Sequence, residues 1–137
     1  EKQSMKKTEF MRCIADLHRM SLHVPSVALK ISGFEGQTQA EYRPLDNVIV
    51  VLKKQMTAPE LLSAVEQLQG VASELLFHLH QVCGPCEECP DGCLCGESED
   101  SPLLHLPADL LLTFAEAGTC LGELEDHLIT EDIVYGH

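Results

Sequence analysis

Ser21-Leu22-His23-Val24-Pro25-Ser26-Val27-Ala28-Leu29-Lys30-Ile31-Ser32-Gly33-Phe34, followed further on by Asn47-Val48-Ile49-Val50-Val51-Leu52-Lys53-Lys54, is the stretch that decides the fold. Met20, Leu22 and Val24 alternate with Ser21 and His23, the period-2 pattern of a half-buried strand. Pro25 ends that strand and suits the first turn of a helix, where its missing N–H would have had no partner. Val27, Ala28 and Ile31 mark one face of a short helix, and Gly33 stands where a left-handed residue would close it. Thr38 to Tyr42 reads as a further strand, Arg43 to Asn47 as a turn, and Val48 to Leu52 as a β-branched, buried strand. The order predicted is strand, short helix, hairpin.

Working outward, Phe10 to Leu17 reads as a first strand and Asp16 to Arg19 as the turn into the second. Arg19, the strand ending in Pro25, Leu29, Gly33-Phe34, the hairpin and Ile49 to Lys54 together resemble the AbrB/SpoVT/MazE-like DNA-binding domain. The resemblance covers residues 10–54, about a third of the chain. It implies an α+β fold in which the hairpins of two chains swap to close a small β-barrel. It also implies DNA contacts at the positions matching the family's strand and turn arginines, Arg12 and Arg19, and at Lys30. Ile31 stands where the family often carries a second cation after the helix leucine, so one contact is missing. An arginine fork donates to phosphate or guanine in pairs; the plain alternative for each position is a solvated surface cation.

Charge divides the chain in the same sense. All nine Lys and Arg lie in residues 1–54 beside six acids, a net of +3, whereas residues 55–137 hold sixteen acids and neither Lys nor Arg. Such asymmetry points to two tasks, with any polyanion facing the N-terminal part. No run approaches the ~18 apolar residues of a membrane span, and the opening residues do not read as a signal sequence, so the expected compartment is the cytoplasm. Glu1 to Ser4 read as additions ahead of a native start at Met5, which begins the expected domain 5–54.

Thr57-Ala58-Pro59-Glu60 has capping-box spacing. Behind it Leu61, Val65, Leu68, Ala72, Leu75, Leu79 and Val82 recur at alternating intervals of four and three, a heptad seam along a helix expected over 57–82. Such a helix, on the order of 37 Å long, exceeds what a domain of this size covers. It is expected to pair with its copy in a homodimer; burial against the C-terminal half is the alternative.

Five of the seven cysteines then fall within thirteen residues, Cys83, Cys86, Cys89, Cys93 and Cys95. Cys83, Cys86, Cys89 and Cys93 are the candidate ligands for zinc; the spacing also suits an iron–sulfur cluster, or a loop that holds no metal. His78 and His80, a turn earlier, read as helix-surface residues. Residues 83–102 form an expected cysteine-rich acidic linker. Cys13 and Cys120 stand alone in sequence and read as small buried hydrophobes rather than nucleophiles.

Residues 103–137 echo the start. Leu104-His105-Leu106-Pro107 repeats Leu22-His23-Val24-Pro25 at an offset of 82, and Leu111 then matches Leu29. A helix from Ala108 to Ala117, closed by Gly118, and hairpin strands at Leu121 to Leu124 and Ile133 to Tyr135 would make a divergent, cation-free second copy of the AbrB-like unit. A dimeric DNA-binding transcription regulator is the leading expectation. Two others stand beside it: an antitoxin-type module whose acidic half binds a basic protein partner, and a metal- or redox-responsive regulator. No phosphate-cradling loop, nucleophile elbow or His-Glu-x-x-His is present, so an enzyme is not expected.

Overall fold

The computed structural model describes residues 10–86 and 99–136, which divide into two units, Phe10–Leu68 and Gln69 onward. The N-terminal unit holds α1 (Ser26–Ile31) and a hairpin of β1 (Ala40–Leu45) and β2 (Val48–Lys53). α2 (Ala58–Cys83) continues from it into the C-terminal unit. That unit adds a 3-10 turn (Pro102–His105), α3 (Ala108–Glu116) and α4 (Leu121–Thr130). The result is a small α+β chain with a two-stranded antiparallel sheet and a long helix. Among the described residues no helix is long and apolar enough to cross a membrane.

Pro25 caps α1, and the Leu29 N–H donates to its carbonyl at 3.2 Å. The helix closes as expected at Gly33, whose φ of 80° is free to a residue without a Cβ. Gly33 N–H reaches Lys30 O and Phe34 N–H reaches Leu29 O, the paired bonds of a Schellman motif. Sequence and structure part at the strands. Phe10 to Leu17 forms no strand, and Met20 to Val24 contributes only the single bridge between His18 and Ser21. The first arm of the hairpin is shifted from its expected place: Thr38 and Gln39 lie outside it, Arg43, Pro44 and Leu45 pair with Val50, Ile49 and Val48, and the turn is Asp46-Asn47 alone. Proline is tolerated there because β1 is an edge strand that can spare a donor. Two strands do not close a barrel, and an isolated hairpin is at best marginal in water.

The capping box at the start of α2 forms on both sides. Thr57 N–H donates to Glu60 Oε1 at 2.9 Å and Glu60 N–H to Thr57 Oγ1 at 3.4 Å. Lys53 Nζ, at the end of β2, adds a 2.9 Å ion pair to Glu60. The Thr57 backbone and then Lys53 hold the Glu60 carboxyl below its ordinary range. α2 ends at Cys83, with Gly84 in the left-handed region.

Core formation is confined to the C-terminal unit. Cys83, Leu103, Phe114 and Leu124 are buried, and Leu76, Leu79, Leu106, Leu110, Leu111, Leu121 and Leu128 pack around them. α2 supplies Leu76, Leu79 and Cys83, a stripe at intervals of three and four. The expected seam therefore divides: Leu79 serves this intrachain core, while Leu61, Val65, Leu68 and Leu75 stay exposed.

The internal repeat holds for one helix and then fails. Pro107 caps α3, Leu111 N–H donates to the Pro107 carbonyl, and Gly118 (φ 79°) closes a second Schellman motif through Gly118 N–H to Ala115 O and Thr119 N–H to Phe114 O. Leu29 and Leu111 thus occupy equivalent places. Beyond Gly118 the expected strand at Leu121 to Leu124 is instead the first turn of α4, and Ile133 to Tyr135 pairs with no strand. Leu121, Leu124 and Leu128, spaced by three and four, bury one helical face on the core, an arrangement a hairpin could not match. A second swapped-hairpin copy does not form here.

Candidate functional site

The turn from His18 to Ser21 is a two-residue one. His18 N–H donates to Ser21 O at 3.0 Å and Ser21 N–H to His18 O at 2.9 Å, leaving Arg19 and Met20 at the tip. Both tip residues have positive φ, 53° and 63°, as a type I′ turn requires. Neither is glycine or asparagine, so the tip carries backbone strain of about 1–2 kcal/mol per residue. Arg19 is exposed at this tip and borders an open groove of about 430 Å³ lined by Asp16, His18, Arg19, Ser21, Leu22 and His23. Lys30 sits in the last turn of α1, where a cation favours the helix dipole, and is also exposed. Arg12 is exposed on the segment before the turn. All three expected DNA-binding residues lie in the N-terminal unit. Elsewhere in the unit, Arg43 Nε donates to Glu41 Oε2 at 2.7 Å and Lys53 pairs with Glu60.

Around these cations the apolar side chains are open. No residue of Phe10–Leu68 is buried. Ile14 is 91% exposed and Met20 93%, and Met11, Leu17, Leu22, Val24, Ile49 and Val51 are exposed as well. The exposed surface includes both the alternating segment before Pro25 and residues from β2.

The cysteine run is arranged differently from its sequence reading. Cys89 and Cys93 lie outside the described residues. Cys83 is buried at the end of α2 and Cys86 is half-buried. Burial, with Cys120 and Glu123 adding to it, pushes the Cys83 thiol above its usual range. The Cys-Gly-Pro-Cys spelling begins at a helix C-terminus, whose carbonyl end disfavours a thiolate, rather than at the N-terminus that activates one. Among the described residues no three His, Cys, Asp or Glu side chains converge as ligands for one ion.

Cys120, isolated in sequence, is brought to this run by the backbone. Pro85 bridges Thr119, Cys86 N–H donates to Gly118 O and Cys120 N–H to Gly84 O, each at 2.9 Å. His80, expected on the helix surface, is partly buried and hydrogen-bonds through Nδ1 to Thr119 Oγ1 beside it. His78 Nε2 donates to the Val134 carbonyl at 2.6 Å and meets the Tyr135 ring edge-on at 5.0 Å, so it ties down the C-terminal segment. No local sequence signal joins residue 120 to residue 83, because 36 residues separate them in the chain.

No family profile, curated protein or solved structure matches the chain.

Proposed function

We propose that this chain is a DNA-binding transcription regulator acting as a homodimer, with two N-terminal units interleaving their extended segments and hairpins. The observation that carries the proposal is the pairing, in one unit, of exposed apolar side chains with exposed Arg12, Arg19 and Lys30. A stretch with aliphatic residues at every other position and no buried residue lacks the area to offset its own ordering entropy. A second copy would supply the missing strands and cover that surface. The resemblance of residues 10–54 to AbrB-like domains supports the same arrangement.

In such a dimer the Arg19 tips come in a symmetric pair, suited to two half-sites. Arg12 and Lys30 add phosphate contacts, and residues 55–137, with neither Lys nor Arg, favour the face away from the duplex. Three cations per chain predict a salt slope of roughly −5 for the dimer in log K against log salt. Fluorescence anisotropy on labelled duplexes at 50 and 200 mM salt measures it; no binding to any duplex at low salt would remove the proposal.

A second reading rests on the acidity of the C-terminal unit. From Gln69 onward there are fourteen Asp and Glu and neither Lys nor Arg. A basic protein partner, as for an antitoxin, would be attracted and oriented by such a surface. Co-purification of a basic protein with the full chain, lost at high salt, favours this reading.

A further inference from the structure

We propose that Cys120 and Cys83 are a redox pair that closes to an intrachain disulfide on exposure to a low-molecular-weight disulfide. The inference stands on the C-terminal unit alone and is independent of the DNA-binding proposal.

Two observations meet at this pair. The first is the backbone bridge, in which Cys120 N–H donates to Gly84 O at 2.9 Å and so places Cys120 against the residue that follows Cys83. On the other side of the same bridge, Cys86 N–H donates to Gly118 O. The second is a difference in access. Cys120 is partly exposed as the N-cap residue of α4, whereas Cys83 is buried against Leu103, Phe114 and Leu124.

The order of events follows from access. The Cys120 thiolate attacks the small disulfide R–S–S–R, forming Cys120–S–S–R and releasing one thiolate. The Cys83 thiol loses its proton to solvent, and its sulfur attacks Cys120 Sγ and expels the second thiolate. The two cysteines lose two electrons and two protons, and the disulfide is reduced to two thiols. The bond closes a loop of 36 intervening residues, Gly84 to Thr119.

The test is to expose the full chain, as a Cys13→Ser variant, to oxidised glutathione and map non-reduced peptides by mass spectrometry. The expected product joins the peptides bearing Cys83 and Cys120, with two hydrogens lost. The linked form should melt roughly 10 °C higher, since a cross-link of this span restricts the unfolded chain. Cys120→Ser should abolish the link while preserving the fold, because serine suits a helix N-cap. A Cys83–Cys86 link, a stable glutathione adduct at Cys120, or no reaction would each overturn the proposal.

Discussion

The two units of this chain use the same local device to opposite ends. In the N-terminal unit, Pro25 starts a helix, Leu29 bonds back to it and Gly33 closes it; in the C-terminal unit, Pro107, Leu111 and Gly118 do the same. Yet Phe114, two turns into α3, is 1% exposed, while α1 contains no buried residue. The difference teaches that a helix start and stop are written locally, whereas a core depends on what the following segment brings. After Gly118 comes an amphipathic helix that folds onto its own unit. After Gly33 comes a hairpin whose apolar side chains remain open.

The largest test of that contrast is Phe114→Ala. It should cost about 3–5 kcal/mol in urea unfolding, as expected for emptying the centre of a packed core; a cost below about 1 kcal/mol would mean that the C-terminal unit is no better packed than the N-terminal one. Next comes Ile14→Glu. In a lone chain a substitution at so exposed a site changes stability by roughly 0.5 kcal/mol or less. If two copies interleave, sedimentation equilibrium should show the dimer dissociation constant raised about 100-fold or more, from burying an unpaired carboxylate.

Arg19→Asn probes the strained tip while keeping a residue that tolerates positive φ. DNA affinity at low salt should fall about tenfold and the salt slope should become shallower by about 2 per dimer, one phosphate contact per chain. Smaller still, Gly118→Ala should cost about 1 kcal/mol through its left-handed backbone alone, since open space surrounds the Cβ position. Gly33→Ala carries the same backbone cost, and whether it also lowers DNA affinity separates a structural from a functional α1.

The smallest effect is a pH dependence confined to the C-terminal unit. The Asp132 carboxylate, 3.0 Å from His127 Nδ1, raises the His127 pKa above its ordinary 6.5, and the same contact lowers Asp132 below 3.8. A raised histidine contributes its stability in full below the unfolded pKa and loses it as pH rises through the folded one. A depressed carboxylate contributes above its unfolded pKa and loses that as pH falls through the folded one. The pair therefore helps most between about pH 4 and 6.5. Asp132→Asn should flatten this part of the melting-temperature profile, and NMR titration of His127 should show its pKa fall toward 6.5.

Much of the local structure was legible in the residues. Thr57 and Glu60 announced their capping box, and Gly33 and Gly118 their helix ends, because each acts through neighbours within a turn. In sequence Pro44 belongs with the turn residues Arg43 to Asn47; only pairing with Ile49 on an edge strand makes it part of β1. In sequence Leu121 to Leu124 suits a hairpin strand as readily as a helix turn, as short apolar runs do. The burial of Leu121, Leu124 and Leu128 on one side decided for a helix.

The N-terminal concentration of cations and the acidity of the rest are properties of composition, and no folding step could change them. So are the helix caps, whose hydrogen bonds span no more than five residues. Tertiary structure decided that Leu79 alone of the α2 seam joins the core, that residues 121–130 form a helix rather than a strand, and that Cys120 meets the end of α2. Those outcomes depend on apolar surface finding a partner far along the chain, and distance in sequence holds no record of which partner that will be.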